Sequence, residues 1–206
     1  MTTILFTGFG PFPGAPFNPT GPLVRRLARA RRPALADVAI VPHVFTTSYA
    51  AVDRDLPRLI ARHRPDALLM FGLAPRAGFL RIETRARNAI ALMPDAGRAR
   101  RQGRAIALDE PATLVMPAPA RALLAAARSA RLPAALSRDA GRYLCNYLCW
   151  QAALAARKGP KIAAFVHVPS IGRKPQRKGK KRRFTLDELT RAGGRILVAV
   201  AAAARR

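Results

Sequence analysis

Acidic residues are scarce in this sequence: 11 Asp and Glu stand against 37 Lys and Arg, a formal charge of +26. That imbalance predicts a positive surface potential and non-specific attraction to polyanions. It does not make a nucleic-acid reader, because there is no zinc-finger spacing, no ribonucleoprotein-like aromatic motif and no basic region leading into heptads. Alanine and arginine are so frequent that the base composition of the coding DNA is a competing account of the charge. Cysteine is limited to two residues and histidine to three. Cys145 and Cys149, four apart, make no disulfide framework, and with His167 they lack the spacing of a zinc site. No metal or cofactor is expected, since the glycines of 8–21 are interrupted by prolines and match neither a phosphate loop nor a dinucleotide fingerprint. No stretch reaches ~18 uninterrupted apolar residues, so no membrane span is expected. The opening MTTILFTGFGPF lacks the basic and long apolar regions of a signal peptide. These absences predict a soluble cytoplasmic protein.

What is present reads as one domain spanning 1–206, with half its residues hydrophobic and able to form a substantial core. The apolar runs 4–9, 38–45, 66–74 and 161–169 read as strands, and the third has the look of a strand covered on both faces. The loop 10–22 holds three glycines and five prolines and is expected to be irregular. Helical spacing runs through 23–32, from a Ser48 cap to about His63 with a kink at Pro57, through 119–130 and through 143–159. Residues 81–93 alternate and are expected to be extended. Thr185 with Glu188 makes a capping box for a last helix to about Ala203. Strands alternating with helices predict a three-layer α/β domain with a mostly parallel sheet. The segment 172–183 carries eight positive charges and no acid, and is expected to be a solvated, mobile basic loop.

Three residue types could carry chemistry. Cys145 opens the helix after the turn-like Asp139, Ala140 and Gly141, where unpaired N–H groups and the helix dipole favour a thiolate and could hold an oxyanion. Cys149 lies one turn deeper and should be an ordinary core thiol. A cysteine in an apolar helix is more often packing than catalysis, and a nucleophile needs a base. His167 sits at the carboxyl end of an apolar strand, the edge where α/β sites assemble. His43 and His63 read as structural or exposed. Glu83 is the acid lying within an apolar extended segment; its bland explanation is a salt bridge with Arg85 or Arg87.

The segments ILFTGFGPFPGAPFNPT (4–20), FGLAPRAGFLRIETRARN (71–88), GRYLCNYL (141–148) and FVHVPS (165–170) resemble, in order, those of the pyroglutamyl peptidases, a family of cysteine peptidases. The resemblance also touches PHVF (42–45), MPD (93–95) and FTLDEL (184–189), and so spans nearly the whole chain. It implies an α/β/α sandwich with a mixed, mostly parallel sheet and commonly a homotetramer. It implies Cys145 as nucleophile, His167 as general base and acid, and Glu83 as the orienting carboxylate. It places Phe9 and Phe12 in the ring pocket and Asn18 in shaping the first loop. The substrate would be a peptide with an N-terminal pyroglutamate, a flat neutral lactam that aromatic faces can sandwich.

Two positions depart from the family pattern. Leu73 stands where the family has glutamine after the strand-end glycine, and Leu92 stands where it has arginine before the x-P-D element. These departures leave a divergent amidohydrolase of other specificity, or an inactive protein of this fold, as alternatives. The non-enzymatic alternative is polyanion binding through the basic loop, which salt would abolish and a thiol alkylator would not touch.

Overall fold

The computed structural model describes residues 1–172 and 184–206. Among them the chain runs β1 (Thr2–Phe9), α1 (Thr20–Arg29), β2 (Val38–Phe45), α2 (Tyr49–His63), β3 (Ala67–Leu73), β4 (Leu80–Glu83), β5 (Arg85–Arg87), β6 (Thr113–Val115), α3 (Ala120–Ser129), β7 (Ala134–Ser137), α4 (Leu144–Ala155), β8 (Ile162–Val168) and α5 (Leu186–Ala204). Six strands form one sheet in the order β2-β1-β3-β8-β4-β7. Every pairing in it is parallel except β4 with β8. This is the mixed, mostly parallel sheet expected.

The apolar runs become central strands because both faces are covered: all seven residues of β3 and of β8 are buried. Alternation then assigns each side chain to a layer. Leu69 and Phe71 of β3, Ala164 and Val166 of β8, and Leu80 and Ile82 of β4 pack with α1, α3 and α5. Leu68 and Met70 of β3 and Ala163 and Phe165 of β8 pack with α2 and α4 on the other side. His167, Glu83 and Arg81 have the parity of this second layer, and so does Gly72.

Several expectations shift in detail. The first helix begins at Thr20 rather than 23. Pro22 falls in its first turn, where the missing N–H has no partner to lose. The segment 81–93 does not stay extended: the chain leaves the large sheet at Thr84, pairs β5 with β6 in a separate antiparallel ribbon, and runs irregularly after 87. Ser48 does cap α2 by accepting the Ala51 N–H, and α2 continues through Pro57. The Thr185–Glu188 capping box is formed. The basic segment 172–183 lies outside the described residues apart from Gly172, whose N–H donates to the Phe184 carbonyl at 2.9 Å. Among the described residues no helix is long and apolar enough to cross a membrane.

Candidate active site

At the carboxyl end of β8 the side chains of Glu83, His167 and Cys145 converge. The antiparallel seam sets Arg81 opposite His167 and Glu83 opposite Phe165, so Glu83 is the diagonal neighbour of the histidine. Its Oε1 lies 2.8 Å from His167 Nδ1, in a pair where Glu83 is fully buried and His167 only 5% exposed. The Cys145 thiol lies close enough to act on the same ring. Burial alone would lower the His167 pKa, yet Cys145 and then Glu83 outweigh it and raise the value to about 9. The ring is therefore held as imidazolium at neutral pH.

Cys145 reaches this point because α4 starts there. Asp139 Oδ1 accepts the Gly141 N–H at 2.9 Å, and Gly141 takes φ +84°, a conformation open to a residue without a Cβ. Tyr143 is the N-cap, with no side-chain cap and no acid in the first turn, so among the described residues the first N–H groups of α4 have no side-chain acceptor. Asn146, fully buried, ties this turn to β5: its Nδ2 donates to the carbonyls of Arg87 and Ala89 at 2.8 and 3.0 Å, and its Oδ1 accepts the Arg87 N–H at 2.8 Å. Opposite, Gly72 makes room for the sulfur. A Cβ there would sit 2.8 Å from Cys145 Sγ and 2.6 Å from Phe165 Cζ. Cys149 is fully buried and unbonded to another cysteine, and burial holds its pKa well above the ordinary thiol range.

A cavity of about 250 Å³ opens beside the sulfur, lined by Phe9, Phe12, Leu73, Met93, Tyr143 and His167 among others. Asn18 lines it too, with its amide engaged in the loop. Nδ2 donates to the Gly10 carbonyl at 3.1 Å, and Oδ1 accepts the Thr20 N–H at 3.1 Å. Thr47, also on the wall, donates to the same Gly10 carbonyl at 2.9 Å. A larger cavity of about 650 Å³ between α2 and α4 is lined by no histidine or cysteine and lies apart from this cluster.

All seven residues singled out from the sequence for this site, Glu83, Cys145, His167, Phe9, Phe12, Asn18 and Leu73, meet here. Leu92 does not: it is 62% exposed and off the cavity wall, where Arg142 stands instead. The arginine paired with Glu83 among the described residues is neither Arg85 nor Arg87 but Arg81, at 3.3 Å; Arg87 pairs with Asp139. Arg81, Asn146 and Thr47 escaped the reading of the sequence, and Gly72 was noted only as the strand-end glycine before Leu73. Only Asn146 carried a visible signal, as an amide inside the apolar YLCNYLCW. His43 lies in β2, 3.7 Å from Asp55, and His63 ends α2, both away from the cluster.

The family model described as pyroglutamyl peptidase matches residues 2–205. The pyrrolidone-carboxylate peptidase of Thermococcus kodakarensis is 31% identical over 81% of this chain and 80% of its own. That of Pseudomonas fluorescens SBW25 is 33% identical over 83% and 80%. Among solved structures, pyrrolidone carboxyl peptidase from Thermococcus litoralis superposes with TM-score 0.87 at 27% identity, covering 98% of this chain and 94% of that one. Pyroglutamyl peptidase I of Bacillus amyloliquefaciens gives 0.85 at 26%, covering 98% of each. The chain belongs to the pyroglutamyl peptidase family.

Proposed function

We propose that this protein is a cysteine peptidase that removes an N-terminal pyroglutamyl residue from peptides, with Cys145, His167 and Glu83 as its catalytic triad. The observation that carries this reading is one imidazole held between a buried carboxylate and a thiol, at the wall of an apolar cavity bearing Phe9 and Phe12. The lactam ring would pack against these aromatic faces. The Cys145 thiolate adds to the pyroglutamyl carbonyl carbon, and the first N–H groups of α4 hold the oxyanion. His167, charged at neutral pH, gives its proton to the departing amine as the C–N bond breaks and leaves a thioester. A water then attacks the thioester, His167 takes its proton, and the thiolate is released. Glu83 accepts the Nδ1–H throughout and keeps the ring oriented.

A second reading, a cysteine amidohydrolase acting on another small acyl group, is favoured by one observation. Thr47 and one N–H of Asn18 donate to the Gly10 carbonyl, and Leu73 adds no polar group, so these wall side chains offer the lactam few side-chain partners. A pocket that selects by shape discriminates far less than one that selects by hydrogen bonds. A panel of aminoacyl-linked fluorogenic substrates, with and without iodoacetamide, tests both. The first reading expects the pyroglutamyl substrate to be cleaved best, the alkylator to stop it, and Cys145→Ala to be inactive yet folded. Preference for another acyl group moves the assignment to the second reading, and activity surviving in Cys145→Ala ends both.

A further inference from the structure

Glu83 is a fully buried carboxylate whose Oε2 has no hydrogen-bond partner among the described residues. Such a group is costly unless a cation stands close. Arg81 supplies it, with Nε 3.3 Å from Oε1, the same oxygen that faces His167. Residues two apart on a strand share a face, so β4 itself places the guanidinium beside the carboxylate. The rest of the fork reaches elsewhere. Nη2 and Nε donate to Ser137 Oγ at 2.7 and 3.2 Å, and Nη2 also donates to the Asp139 carbonyl. Asp139 in turn fixes Gly141, two residues before the N-cap of α4. One side chain thus joins the acid to the turn that delivers the thiol.

We propose that Arg81 is a positioning residue of this site: it fixes the direction of Glu83 and locks β4 to the turn leading into α4. The inference rests on the triad reading above. Arg81 does not line the cavity, so substrate affinity should not depend on it. The groups facing His167 are Glu83 and Arg81 from β4 and Cys145 from α4, with Cys149 one turn deeper; β3 presents the uncharged Gly72.

The test measures two things in Arg81→Met and Arg81→Lys: kcat and KM on a pyroglutamyl-linked dye, and the rate of Cys145 alkylation by iodoacetamide across pH. In Arg81→Met, kcat should fall about tenfold to a hundredfold, the scale of a small misplacement of reacting groups, with KM within about twofold. The alkylation profile should move to higher pH, because losing a fixed positive charge makes the thiol harder to ionise and the imidazolium harder to deprotonate. Arg81→Lys should return the profile but not the full kcat, since an ammonium cannot reproduce the fork. Should the Met variant fail to fold, Ser137→Ala keeps the charge and cuts the tether; it should lower kcat without moving the profile. An unmoved profile in Arg81→Met, with kcat intact or lost only in proportion to titratable thiol, overturns the proposal, as does wild-type kcat in both Arg81→Lys and Ser137→Ala. A shifted alkylation profile in a protein that cleaves no pyroglutamyl substrate would sink the substrate assignment and leave the role of Arg81 standing.

Discussion

At the scale of single residues, the decisive group is the imidazole of His167. Its pKa rises to about 9 from an ordinary 6.5, against burial, through Cys145 first and Glu83 second. The folded state therefore binds a proton that the unfolded chain releases near 6.5. The stability this supplies is fully present below that pH and is lost as pH rises through about 9. Replacing Cys145 with alanine removes the largest raising influence and leaves the burial, so the His167 midpoint should drop well below that of the parent. Proton NMR titration reads this directly, because the chain has only three histidines; an unchanged midpoint would mean that the thiol does not act on the ring. Which of these residues could be read in advance depended on local signals. Cys145 opens a helix and His167 ends a strand, both visible in the pattern. Glu83 was reached through the family resemblance. Arg81 and Arg85 are both two residues from Glu83, a tie the sequence leaves open; the chain's departure from the sheet at Thr84 breaks it.

At the scale of elements, the last helix shows sequence and structure in agreement. Thr185 Oγ1 accepts the Glu188 N–H at 3.2 Å, and Glu188 Oε2 accepts the Thr185 N–H at 2.9 Å. Thr185→Ala should cost about 1 kcal/mol, or roughly 2–4 °C in melting temperature for a chain of this size. Calorimetry checks it, and a shift under half a degree would mean that packing of α5 against α1 and α3 makes the cap redundant. Long elements were legible because the strands are unbroken apolar runs and the helices are long: β2 was read at 38–45, and β3, α3, α4, β8 and α5 within a few residues of their ends. The short strands β6 and β7, of three and four residues, were not, since so short a run shows no period. The residues beyond β5 looked extended but are pinned as loop by Asn88, whose Oδ1 accepts the N–H groups of Ile106 and Ala107.

At the scale of the whole molecule, charge is the outstanding term. The ion pairs of Arg54 with Asp55 and Arg157 with Glu110 lie near the surface, where each contributes little. Against them stands a formal charge of +26, whose self-repulsion opposes the compact state. Added salt screens repulsion spread over many separations more than it weakens a few close contacts. The melting temperature should therefore rise between about 10 mM and 150 mM sodium chloride, and a fall would show that the surface pairs outweigh the repulsion. The size of the charge is plain in the sequence, but its pairing is not, because partners such as Arg101 and Asp53 are brought together only by the fold.

The antiparallel seam between β4 and β8 has a consequence for how the protein acquires its competence. The bond from Glu83 to His167 spans 84 residues of chain, and it forms only in one register of that seam. A slip by one residue would turn the carboxylate into the opposite layer. Pairings this distant in sequence close late, after their loop entropy has been met. On the proposed triad, a refolding chain would recover its helices and most of its buried surface while still inert, and hydrolytic capacity would report the final strand registration rather than collapse.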